Sequence, residues 1–166
     1  MKAKTVTPGA RKRRGNKLIQ ERVHDSYKAW GKPAEPTVCP QCGAVFQEGR
    51  WQWLAAPAAA HRQMCPACHR IHDDFPAGFV TLAGDFIGTH RDELVRLIRN
   101  LEAREKGEHP LQRIMKITDQ NGDLLVTTTD IHLARLIGEG LQHAYRGKLD
   151  FHYLQEQNLL RVRWSR

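Results

Sequence analysis

The only cysteines of the chain are Cys39-Pro-Gln-Cys42 and Cys65-Pro-Ala-Cys68. Each CxxC pair folds as a tight turn that aims two thiolates at one point, and two such knuckles make a closed tetrahedral thiolate site. The segment between them, residues 43–64, is slightly longer than the common spacing, which suits a zinc ribbon with a long hairpin. The expectation is one structural Zn2+ ion held by Cys39, Cys42, Cys65 and Cys68. Four thiolates leave no coordination position for substrate, so the ion is read as structural rather than catalytic. Two disulfides fit less well, because no export signal is visible. A thioredoxin-like redox pair would need a βαβ pattern around it, and none is present. His69 and His72 follow the second knuckle and are read as its polar surroundings or as plain surface rather than as ligands.

Between the knuckles, Val45-Phe46 and Trp51-Trp53 read as two ribbon strands around a turn at 47–49. Trp51 and Trp53 stand two apart and are expected on one face. They either close a small core over the metal, which is the expectation, or stack on exposed bases. "LAAPAAA" reads as a loop or a short helix.

The charge is as uneven as the cysteines are clustered. The formal net charge is +8, and residues 1–32 carry all of it, with ten Lys/Arg against two acids. A basic arm on a neutral body is the asymmetry of a polyanion binder. Lys2, Lys4, Arg11, Lys12, Arg13, Arg14, Lys17, Arg22 and Lys28 are therefore candidate nucleic-acid contacts. Nothing in the charge alone selects RNA over DNA. Residues 1–15 are nearly free of apolar side chains and are expected to order only on binding. Asn16 reads as an N-cap, and Ile19, Val23, Tyr27 and Trp30 give helical spacing over 17–30.

Beyond the ribbon, "DDFPAGFVTLAGDFIG" has no clear period. A helix is expected from Thr89 to Gly107, opened by a capping box at Thr89–Asp92. A strand near 112–118, an Asn-Gly turn in "DQNGD", a strand near 123–128, a helix over 130–146 and two strands near 149–154 and 158–164 follow. The expected class is α+β: basic N-terminal arm and short helix over 1–32, four-cysteine zinc ribbon over 33–75, and an αββαββ two-layer sandwich over 76–166. That order is the one of a circularly permuted ferredoxin-like fold. In the last strand Leu160, Val162 and Trp164 point inward. Arg161 and Arg163 then face outward, with Lys116 and His152 as candidate neighbours. This open face reads equally as a solvated surface or as an RNA surface.

"TTTDIHLAR" at 127–135 invites an active-site reading. Strand-ending threonines and a cap at Thr129 or Asp130 explain it better. A phosphate at that helix end would meet the Asp130 carboxylate, and no glycine-rich loop or P-loop lysine accompanies it.

A CPxCG-type ribbon followed by Gly122, the short apolar strand Leu124–Val126, the pair Ala134-Arg135 and the strand Leu149–Tyr153 resembles the zinc-ribbon adaptor family that escorts the large ribosomal subunit from the eukaryotic nucleus, with its archaeal relatives. That family has more CxxC pairs and further domains, and this chain shows no export tail. The resemblance implies a small, stand-alone bacterial relative that binds ribosomal RNA or the ribosome, not an exporter.

The leading expectation is a non-enzymatic, zinc-stabilised ribosome or rRNA binder acting in assembly, quality control or stress-related ribosome inactivation (hibernation). A zinc-ribbon DNA-binding regulator and a protein–protein adaptor are the competing readings. A hydrolase built on His69, His72, Asp73 and Asp74 lacks a nucleophile–base pattern. No apolar run reaches 18 residues and no small-molecule site stands out, so the expected location is the cytoplasm.

Overall fold

The computed structural model describes residues 25–27 and 31–166. The helix expected over 17–30 lies largely outside these residues, and its described part, 25–27, forms a turn in which Asp25 Oδ1 accepts the Tyr27 N–H at 3.0 Å.

Four short strands build the first sheet: β1 (Thr37–Val38), β2 (Val45–Gln47), β3 (Arg50–Gln52) and β4 (His61–Arg62), in the order β3-β2-β1-β4. The first knuckle is the β1–β2 turn, and Gly43 supplies its left-handed φ of 79°. Glu48 and Gly49, both at positive φ, make the β2–β3 turn. Their N–H groups donate to the Glu35 carboxylate at 2.8 and 3.0 Å, which ties the preceding linker to this turn. "LAAPAAA" is an exposed loop. The second knuckle opens helix α1 (Pro66–Asp73), with Cys65 as N-cap and Pro66 in the first turn, where its missing N–H is no loss.

The second sheet has five strands: β5 (Gly78–Ala83), β6 (Ile114–Gln120), β7 (Asp123–Thr128), β8 (Lys148–Leu154) and β9 (Leu159–Ser165), ordered β6-β7-β5-β9-β8. Helix α2 (Phe86–Glu108) joins β5 to β6, and α3 (Ile131–Tyr145) joins β7 to β8. Among the described residues the class is α+β with two sheets and three α-helices, and the expected αββαββ order is corrected to βαββαββ. The added strand, β5, is central, antiparallel to β7 and parallel to β9. Its inward row is Gly78, Val80 and Leu82, and the glycine hides the apolar alternation. Helix α2 starts three residues before Thr89, so the expected capping box does not form. Asp85 precedes the helix without a side-chain cap, and the Phe86 N–H donates instead to the Arg166 carbonyl at 3.3 Å. A partner so distant in sequence leaves no local signature.

Both helices cover one face of the five-stranded sheet. Leu94 and Ile98 of α2 and Ile137 and Leu141 of α3 are fully buried against Val80, Leu124, Val126 and Trp164. Asn121 and Gly122, at φ 51° and 88°, make the predicted β6–β7 turn. Gly78 marks the closest approach of sheet and helix: a Cβ there would overlap Thr128 Oγ1 and Ala134 Cβ. Gly78→Ala is expected to destabilise by about 1–3 kcal/mol through overpacking. A denaturation midpoint unchanged from wild type would contradict this packing.

Candidate metal centre

Cys39, Cys42, Cys65 and Cys68 place their sulfurs within 4.8 Å of one another. Cys42 Sγ and Cys65 Sγ are 3.8 Å apart. Thiolates bound tetrahedrally at about 2.3 Å stand about 3.8 Å apart, so the donor set fits one structural metal ion. Among the described residues this is the only His/Cys/Asp/Glu group that could hold an ion. Cys39, Cys65 and Cys68 are buried, and Trp51, Met64 and Leu111 pack around them. Cys65 sits at the centre of the polar contacts. Its backbone N–H donates to Cys39 Sγ at 3.3 Å, and its own sulfur accepts the Cys68 N–H at 3.4 Å.

A fifth residue completes the centre, one that the cysteine spacing does not announce. Arg113 precedes β6 and is 7 % exposed. Its Nη2 donates to Cys42 Sγ at 3.1 Å and Cys65 Sγ at 3.4 Å, and its Nη1 to Cys68 Sγ at 3.3 Å. Its Nε donates to the Pro110 carbonyl at 2.7 Å, which fixes the plane of the fork. A divalent ion among four thiolates leaves an excess of negative charge, and a buried guanidinium offsets part of it. Burial pushes the Cys65 and Cys68 thiols up, with Arg113 acting in the opposite direction. Burial also acts against ionisation of Cys39, but backbone N–H groups of Cys65, Cys42 and Gln41 outweigh it and bring that thiol down to about 7. The sulfurs in turn raise the Arg113 pKa against the effect of burial, so the guanidinium stays charged.

Arg113 is held by the threonine run. The Arg113 N–H donates to Thr129 Oγ1 at 3.0 Å, and that hydroxyl donates to the Leu111 carbonyl at 2.6 Å. The Thr129 N–H returns a bond to the Arg113 carbonyl at 2.9 Å. Asp130, not Thr129, caps α3, accepting the N–H groups of His132 and Leu133 at 2.8 and 3.1 Å. "TTTD" is therefore the bracket that positions the metal centre's arginine and starts a helix.

The residues after the second knuckle do not converge on a reaction centre. His69 is exposed on α1. His72 Nδ1 lies 2.8 Å from Asp73 Oδ1, Asp73 Oδ2 accepts the Tyr27 hydroxyl at 3.0 Å, and Asp74 pairs with Lys116 at 2.6 Å. The hydrogen bonds from His72 and Tyr27 hold the Asp73 carboxyl below its ordinary pKa. These groups fasten α1 to its neighbours. The same helix carries Arg70, 3 % exposed, whose guanidinium pairs with Asp25 and lies 4.5 Å over the Tyr27 ring. Tyr27 stacks on Phe75 at 5.7 Å between centroids. The two tryptophans part company, against expectation. Trp51 packs on the cysteine cluster, whereas Trp53 lies beyond the end of β3, is 38 % exposed and donates its indole N–H to the Lys106 carbonyl of α2.

Of the candidate nucleic-acid contacts, Lys2, Lys4, Arg11, Lys12, Arg13, Arg14, Lys17, Arg22 and Lys28 lie outside the described residues. Arg161 and Arg163 are exposed on the sheet face away from the helices, while Leu160, Val162 and Trp164, which alternate with them, are buried. Arg161 covers the Phe79 ring at 4.7 Å, and Arg163 lies 3.8 Å from Asp123. Among the described residues no helix is long and apolar enough to cross a membrane.

No protein-family model, curated protein or solved structure matches this chain. The resemblance to the export-adaptor family rests on the sequence motifs alone.

Proposed function

We propose that this protein is a zinc-stabilised, non-enzymatic RNA-binding protein whose target is the ribosome. The observation that carries the reading is the root of the basic arm. All of the net charge of +8 lies in residues 1–32, and Asp25 and Tyr27, inside that stretch, are pinned to the helix that Cys65 caps. A closed thiolate centre thus serves as a mount for a polycation. The metal is assigned as zinc because four thiolates in a compact tetrahedral set are its characteristic structural site. The arm neutralises phosphates, the ribbon is its rigid base, and the sheet adds Arg161 and Arg163 as further contacts. A cationic arm that enters an RNA-walled channel blocks it, which makes the silencing of idle cytoplasmic ribosomes under stress the specific form of the proposal. The likeness to the ribosomal export adaptors agrees with this target.

Gradient sedimentation of a tagged copy from growing and starved cells tests the target, and a starvation-dependent shift into the ribosomal fractions is the expected result. Replacing Arg11, Lys12, Arg13 and Arg14 by alanine is expected to flatten the slope of log affinity against log salt by about 3, as fewer counterions are released. The same slope in the quadruple variant would remove the arm from the mechanism.

A further inference from the structure

We infer that the open face of the five-stranded sheet is a binding platform for a single-stranded polynucleotide, with one base stacked at Phe79 and Arg161. This deepens the RNA-binding reading above and rests on it.

The argument starts from strand register. Lys116 pairs with Thr127, Thr127 with Phe79, Phe79 with Arg161, and Arg161 with His152. These residues form one row across all five strands, on the face that neither helix covers. Strands about 4.8 Å apart make such a row about 19 Å long. That suits a short single strand, since sheet platforms of this kind stack two or three bases. The row has an aromatic ring at its middle, cationic or titratable nitrogen groups on both sides, and no acid within it.

The neighbouring charges single out this row. In the next one, Arg163 lies opposite Asp150 and 3.8 Å from Asp123, and Asp150 is also 3.3 Å from Lys148. Those cations have protein acids beside them. Among the described residues Arg161 has no acidic partner, and its guanidinium lies over Phe79 with its centre 4.7 Å from the ring centroid. A planar cation on an aromatic ring offers a second plane for a base and N–H donors for a phosphate. Phe79 is only half-buried, and with Thr81, His152 and Arg161 it lines a shallow depression of about 450 Å³, which Asp150, opposite Arg163 and paired with Lys148, also lines. Thr127, on the same row, keeps a buried hydroxyl with no hydrogen-bond partner among the described residues. Lys116 closes the row at the other edge. Its pair with Asp74 is exposed on both sides, so a phosphate can replace the carboxylate at small loss.

The test uses the full chain, labelled twelve-nucleotide oligouridine and, as a second probe, a structured rRNA hairpin, both read by fluorescence anisotropy. Phe79→Leu keeps an apolar side chain and removes the π face. Arg161→Gln keeps hydrogen bonding and removes the charge. Each is expected to weaken oligouridine binding about tenfold, within the range for loss of one stacked base, while the melting temperature holds. The same loss on oligodeoxythymidine would support a platform for the bases and phosphates that both strands share. Oligouridine binding unchanged in both variants, with hairpin binding intact in wild type, would overturn the platform and leave the arm as the RNA contact. Wild-type protein that binds neither probe would overturn the RNA reading and the platform together. A Phe79-dependent affinity for polyglutamate as strong as that for oligouridine would make the face a site for acidic peptides and overturn the polynucleotide assignment.

Discussion

Cys65→Ser is expected to abolish metal retention and unfold the ribbon. Cys65 is fully buried, caps α1 and has a sulfur that accepts from both Arg113 and the Cys68 N–H. Structural zinc supplies on the order of 10 kcal/mol to small domains. The strands around the four cysteines have two or three residues each, too short to be stable without a bound ion. Metal per chain, measured by elemental analysis, should fall from one to near zero, and Trp51 emission should shift red as its packing on the cluster is lost. A serine variant that kept its full metal content would refute the four-thiolate centre. Chelation of the wild-type protein should give the same state. Because burial raises the Cys65 and Cys68 thiols, binding must displace their protons, so metal affinity rises with pH and falls as the solution is acidified. Chelator competition at about pH 6 and about pH 8 reads this sign directly, with weaker retention expected on the acid side.

Arg113→Ala should produce the second-largest effect. The change leaves the sulfurs without their buried cation and the Pro110 carbonyl without its donor. Outer-sphere partners of this kind are worth about ten- to a hundredfold in metal affinity. Lysine is not an adequate substitute, since one ammonium cannot reproduce a planar fork that reaches three sulfurs and a carbonyl. Thr129→Val isolates positioning from charge. It keeps the guanidinium but removes the hydroxyl that receives the Arg113 N–H, so a smaller loss of affinity is expected. Metal binding by Arg113→Ala as tight as wild type would show that the arginine is a bystander.

What could be read from the sequence was what the chain encodes locally. The two CxxC knuckles carry their own geometry, and the sulfurs meet as their spacing predicts. The Asn121-Gly122 turn, a helix cap at Thr129 or Asp130 and the inward Leu160-Val162-Trp164 row were legible for the same reason, and the structure places the cap at Asp130. The failures share the opposite cause. Strand β5 hides its alternation behind Gly78, whose lack of a side chain only makes sense against Ala134 of a helix far along the chain. Helix α2 starts where Arg166 returns to meet it. Arg113 and Arg70 look like two more surface cations until folding delivers the sulfurs to one and Asp25 with Tyr27 to the other. Buried cations are chosen by tertiary partners, and neither periodicity nor spacing records them.

The contacts around the thiolates also join distant parts of the chain. Tyr27 and Asp25 grip Arg70, α1 leads from Arg70 back to Cys65 and Cys68, Arg113 continues from their sulfurs, and Thr129 passes to the end of β7. Arg70 is thus tied to the thiolate centre through α1 and to the sheet through Phe75 and Ala77, whose N–H donates to the Thr128 carbonyl. The Tyr27–Asp73 hydrogen bond is exposed, while Cys39, Cys65 and Cys68 are buried. Asp25 and Tyr27 are therefore where the most basic stretch of the chain is fastened beside the metal-binding knuckle.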